Sequence, residues 1–109
     1  MYSIIIEIPV HSNLKYEYNH EDHSIHLDRV LHTSMTYPGN YGFFPNTLAG
    51  DGDPLDALLV TNYSILPGTH VEVRIIGALI TEDEKGPDEK LLVVPTESID
   101  KHFSNIHNY

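Results

Sequence analysis

Three carboxylates fall within six positions at Asp51-Gly52-Asp53-Pro54-Leu55-Asp56, with turn-forming residues between them. A folded chain that gathers such groups must relieve their repulsion, which for two carboxylates about 4 Å apart is roughly 4 kcal/mol at an effective dielectric of 20. A cation, a proton or open water can supply the relief. Gly50 and Gly52 admit backbone angles that a side chain resists, and Pro54 fixes the chain just ahead of Leu55 and Asp56, so the segment suits a rigid oxygen cage. Such oxygen donors favour Mg2+, Mn2+ or Ca2+, whereas zinc would call for closely spaced Cys or His. A solvated Asp-Gly turn is the other reading of the same residues.

Further candidates are spread along the chain. Glu7 sits near the end of an isoleucine-rich strand, 2–8, that stops at Pro9; there it is a site acid or simply a solvated strand-end glutamate. In Lys15-Tyr16-Glu17-Tyr18, strict alternation places Lys15 and Glu17 on one face and the two tyrosines on the other. Lys15 is suited to hold an anion with Glu17 restraining it, or the two form a weak exposed pair. Arg29 lies inside a strand pattern over 25–31, where an arginine amid Val and Leu is expensive unless paired or reaching a cleft, so an oxyanion contact is expected. Tyr37 and Tyr41 flank Pro38-Gly39-Asn40 in a structured loop or short strand, each able to donate a phenolic hydrogen to a phosphate-like oxygen or to satisfy a buried backbone group. A second acidic segment, 82–90, reads as a charged hairpin connection, by itself a solvated tip, that beside the first acidic loop would concentrate most of the net charge.

The elements that must position these residues are mostly strands. Besides 2–8, the patterning predicts strands around 15–18, 25–31, 57–61, 70–81 and 91–95, with Thr96 capping a short helix through Ile99. The fold class is therefore mainly β with long loops and little helix, and 109 residues fit one domain, 1–109. Six Lys plus Arg against sixteen Asp plus Glu give a net charge of -10. That excess argues against duplex nucleic acid, single-stranded nucleic acid or an anionic membrane as the main partner, and it fits a cation binder. The absence of cysteine rules out disulfide scaffolds and thiolate metal sites and is compatible with a reducing cytosol. No apolar run reaches the length of a membrane helix or a signal segment, so a soluble cytoplasmic protein is expected. The histidines, at 11, 20, 23, 26, 32, 70, 102 and 107, read as surface residues.

In order along the chain, Ile6-Glu7-Ile8-Pro9, Lys15-Tyr16-Glu17, Asp28-Arg29, Tyr37-Pro38-Gly39-Asn40-Tyr41-Gly42, the Asp51 to Asp56 block, and Asp83-Glu84 with Asp88 and Lys90 together resemble the Mg2+-dependent, single-barrel soluble inorganic pyrophosphatases. The likeness covers nearly the whole chain. It implies a five-stranded, OB-like closed barrel with a polar mouth, and hydrolysis of pyrophosphate to two phosphates by a metal-activated water. It implies several Mg2+ per subunit, with Mn2+ or other divalent cations as substitutes, and a homo-oligomer. By the same likeness Asp51, Asp56 and Asp88 bind the tightest ion, Asp56 helps hold a second, and Asp83 with Asp88 binds substrate-borne Mg2+. Asp53 is the implied base; Lys15, Arg29, Tyr41 and Lys90 contact phosphoryl oxygens; Glu7, Glu17, Tyr37 and Glu84 support metals and waters. One departure accompanies it. Family members continue into a long helix that brings a Tyr-Lys pair to the leaving phosphate, and this sequence has no such pair. The expectation is thus a C-terminally short barrel with retained metal binding and reduced or no turnover. The alternative function is a truncated barrel that binds divalent cations or a protein partner without catalysis.

Overall fold

The computed structural model describes residues 2–31, 39–45, 47, 54–83 and 86–103, with the backbone alone at 81–83, 86–88 and 103. Its strands are β1 (Tyr2–Ile8), β2 (Leu14–Asn19), β3 (Ser24–Val30), β4 (Asn40–Phe44), β5 (Leu55–Leu59), β6 (His70–Asp83) and β7 (Gly86–Pro95), followed by a 3-10 turn at Lys101–Phe103. Five of them close into a barrel in the order β1-β4-β5-β7-β6, while β2 and β3 form a separate two-stranded sheet. The predicted mainly β, closed five-stranded barrel is what the chain adopts.

Burial explains which segments form the barrel. Ile4, Ile6, Phe44, Ala57, Leu59, Val71, Val73 and Val93 meet in its core. Each large apolar side chain removed from water there contributes about 1.5–3 kcal/mol. In β1, Ile4, Ile5, Ile6 and Ile8 are all buried, so the strand is covered on both faces and reads as an isoleucine run rather than as an alternation. Gly42 in β4 lies opposite Ile6 of β1. A Cβ there would stand 2.3 Å from the Ile5 carbonyl oxygen, so only glycine lets the two strands approach this closely.

Two irregularities of register place the side chains that matter for chemistry. Ile6 pairs with Gly42 and Ile8 with Tyr41, which leaves Glu7 as the extra residue of a β-bulge. Lys15 pairs with Arg29 and Tyr16 with Leu27, which leaves Asp28 unopposed in β3. Lys15, Tyr16, Glu17 and Tyr18 of β2 all border one cavity.

The strand bounds differ from the patterning in two further places. β5 begins at Leu55 instead of 57 because it pairs with β4 through Phe44↔Leu55 and Phe43↔Asp56. The charged segment 82–90 is mostly strand, since the β6–β7 ladder continues to Asp83↔Gly86. Backbone pairing there is indifferent to the acidic side chains that made the segment read as a loop. Past Thr96 the chain turns, with the Ile99 and Asp100 N–H groups donating to the Thr96 carbonyl at 2.9 and 3.0 Å.

Candidate active site at the barrel mouth

A cavity of about 460 Å³ opens between the barrel and the β2–β3 sheet, lined by Glu7, Lys15, Glu17, Tyr41, Asp56 and Lys90 among others. Those six residues come from β1, β2, β4, β5 and β7. β5 and β7 run parallel, and their register sets Asp56 directly opposite Lys90. The Lys90 Nζ stands 4.0 Å from the Asp56 Oδ2 and 5.6 Å from the centre of the Tyr41 ring, a cation held between a carboxylate and an aromatic face.

Glu7 is a strongly perturbed acid of this cavity. Burial is the main cause that pushes its carboxyl up to about 7, and the Asp56 and Glu17 carboxylates push the same way. The Tyr18 N–H, which donates to Glu7 Oε2 at 3.1 Å, and the nearby Lys15 act against it. The Tyr18 hydrogen bond also ties β2 to the bulge of β1, so the anionic wall and the Lys15 side of the cavity are held by one contact.

Arg29 is placed differently from the other basic candidates. Its side chain is 63% exposed on β3 and lies 3.7 Å from Asp28, and it is not among the residues lining the cavity. The cost expected for an arginine amid Val and Leu does not arise, because Leu27 and Val30 are themselves exposed. Tyr37, Asp51, Asp53 and Glu84 lie outside the described residues. Asp83 and Asp88 are described by backbone alone, with Asp88 opposite Thr81 and two residues upstream of Lys90 on β7.

Other residues at the mouth carried no functional assignment from the sequence. His20, read as a surface residue, is exposed and also lines the cavity, its ring 5.0 Å from Phe43 and 5.2 Å from Tyr18, edge to face. Its position depends on how the β2–β3 hairpin folds over the barrel, for which the local sequence holds no signal.

The donor chemistry fits a hard divalent cation. Glu7, Glu17 and Asp56 offer carboxylate oxygens and no soft donor; the Glu7 carboxyl is raised mainly by burial, with a smaller contribution from the Asp56 and Glu17 carboxylates that a cation would offset. Among the described residues no three His, Cys, Asp or Glu converge closely enough to hold an ion by themselves. Fold and cavity thus define a class: a small β-barrel protein whose mouth mixes carboxylates, lysines and a tyrosine, suited to an anionic ligand neutralised by cations.

Comparison with known proteins names that class. The inorganic pyrophosphatase family model matches residues 4–109, and the chain belongs to that family. An inorganic pyrophosphatase of Sulfolobus acidocaldarius is 55% identical over 104 residues, spanning 95% of this chain and 60% of the relative. One from Campylobacter jejuni is 50% identical, spanning 96% of this chain and 61% of the relative. The Helicobacter pylori inorganic pyrophosphatase structure superposes with a TM-score of 0.93 at 45% identity, over 97% of this chain and 62% of that one. The chain therefore spans about 60% of the length of the relatives it matches. No helix among the described residues is long and apolar enough to cross a membrane.

Proposed function

We propose that the chain carries the metal- and phosphate-binding barrel of a cytoplasmic, Mg2+-dependent hydrolase that converts pyrophosphate into two phosphates. One observation carries the reading: Asp56, Lys90, Tyr41 and Glu7 surround a single cavity in a chain of the inorganic pyrophosphatase family. In balance, one water adds to one phosphorus of P2O7(4-), the bridging P–O bond breaks, and two HPO4(2-) leave.

The substrate is strongly anionic and the cavity wall carries Glu7, Glu17 and Asp56, so binding requires neutralisation. A bound divalent cation supplies Lewis-acid charge and acidifies coordinated water. In the proposed site Asp51, Asp56, Asp83 and Asp88 hold such ions, Mn2+ substituting for Mg2+. Lys15 and Lys90 bind phosphoryl oxygens as cations at the cavity wall, the Tyr41 hydroxyl donates to one of them, and Arg29 joins them only by swinging in from its exposed position on β3. Lys90 is restrained over the Tyr41 ring and beside Asp56, so its charge faces the cavity before any ligand enters. Asp53 accepts the proton of the attacking water. Glu7 accepts the Tyr18 N–H and so keeps Lys15 and Glu17 at the rim. Tyr37 and Glu84 support the same set. The acidic, cysteine-free composition supports a cytoplasmic setting, and one domain carrying the whole set, assembled as a homo-oligomer, completes the proposal.

Phosphate release from pyrophosphate, measured with Mg2+ and with chelator, tests this reading. Turnover is expected only with Mg2+, and it is expected to fall by about 100-fold or more in Asp53→Asn and Asp56→Asn with circular dichroism unchanged. Equal turnover in chelator, or full turnover in both variants, would overturn it.

A further inference from the structure

Thr47 stands outside the cavity and carries no assigned role, yet its hydroxyl occupies an unusual place in the sheet. Thr47 Oγ1 donates to the Phe44 carbonyl at 2.6 Å and accepts the Leu55 N–H at 2.9 Å. Phe44 and Leu55 are the terminal partners of the β4–β5 ladder. One side-chain oxygen is therefore spliced between the end of β4 and the start of β5.

The splice matters because of the residue it sits beside. The Leu55 side chain packs against the barrel core, and Asp56, the next residue, lines the cavity opposite Lys90. Successive strand residues face opposite sides, so a slip of one residue would send the carboxylate toward the core and the leucine to the mouth. The β4–β5 connection is long enough that chain geometry by itself does not set the register of the returning strand. The Thr47 hydroxyl holds the first amide of β5 at a fixed place relative to β4.

We infer that Thr47 is a positioning residue: through the Leu55 amide its hydroxyl fixes the register that presents the Asp56 carboxylate to a divalent cation at the barrel mouth. The inference rests on the metal reading of the site proposed above. Thr47→Val keeps the shape of the side chain and removes both hydrogen bonds, whereas Thr47→Ser keeps them.

The test is calorimetric titration of the protein with Mn2+ and Mg2+, read beside thermal unfolding. Thr47→Val is expected to weaken cation binding by about tenfold, the low end of what loss of a supporting hydrogen bond does to a metal site. Thr47→Ser is expected to stay within about twofold of wild type. Val73→Ala, a core truncation away from the cavity, should lower the melting temperature by a similar amount while leaving cation affinity unchanged. That contrast separates positioning from general loss of stability. If Thr47→Val binds cation as wild type does, or if Thr47→Ser fails as Thr47→Val does, the inference is overturned while the metal reading stands. If wild type binds neither ion, both fall. If Thr47→Val does not fold, hydrogen exchange of the wild-type Leu55 amide decides: protection matching the interior of β5 and increasing with Mn2+ supports the role, and exchange at the rate of an open amide overturns it.

Discussion

Asp56 and Lys90 face each other across the parallel β5–β7 pair, with carboxylate oxygen and ammonium nitrogen 4.0 Å apart. The separation is at the outer limit of an ion pair, and both side chains keep partial contact with solvent, so the pair contributes at most about 1 kcal/mol to stability. Its significance lies in placing opposite charges side by side where an anion and its cations are expected to enter.

Replacement of the cation should separate substrate binding from metal binding. Lys90→Met retains an aliphatic stem over the Tyr41 ring and removes the charge. Its kcat/KM for pyrophosphate is expected to fall by about 100-fold, while Mn2+ affinity in calorimetry stays equal or rises, because a competing positive charge has gone. A parallel loss of Mn2+ affinity would show that Lys90 organises the carboxylates instead.

Glu7 gives a pH dependence of defined sign in the metal-free protein. Its proton is released near 4.5 in the unfolded chain and is held to about 7 in the fold, so between those values the folded state binds more protons. The stabilising contribution of protonated Glu7 is complete below 4.5 and is lost as pH rises through 7. Glu7→Gln keeps an acceptor for the Tyr18 N–H without the charge. In chelator at pH 8 the variant should exceed wild type in stability by roughly 1–3 kcal/mol, and at pH 4 the two should nearly coincide. Urea unfolding at both pH values checks this, and a constant difference would refute it.

Close approach of β1 and β4 at Gly42 predicts a backbone response. Gly42→Ala would force a methyl group against the Ile5 carbonyl, moving the strand that carries the Glu7 bulge. A loss of about 2–4 kcal/mol in urea unfolding is expected, together with altered chemical shifts at Glu7.

Asn40, the neighbour of Tyr41, is fully buried and uses both ends of its amide. Its Oδ1 accepts from the Val10 and Ile65 N–H groups at 2.9 and 3.1 Å, and its Nδ2 donates to Thr61 Oγ1 at 2.8 Å and the Tyr63 carbonyl at 3.2 Å. Asn40→Ala would strand several polar groups away from water, with an expected cost of about 3 kcal/mol or more. Slow amide exchange at Val10 and Ile65 should be lost together in that variant.

Much of this was legible from residue types and order. The isoleucines of β1 and the apolar stretches of β5 and β7 read as strands because burial selects their side chains, and the ordered acidic, basic and tyrosine blocks carried the family resemblance. The charged stretch 82–90 reads as a connection although most of it is strand, because register depends on the partner strand, which local patterning does not contain.

By itself the sequence determined the inventory: oxygen donors without thiols and a strong acidic excess. Tertiary structure alone decided that β5 and β7 lie parallel, that Glu7 occupies a bulge and rises to about 7, and that His20 reaches the cavity while Arg29 stays on the exposed strand. Composition and spacing are properties of one chain segment at a time. Register, burial and the field at a carboxylate arise only when distant segments are brought together.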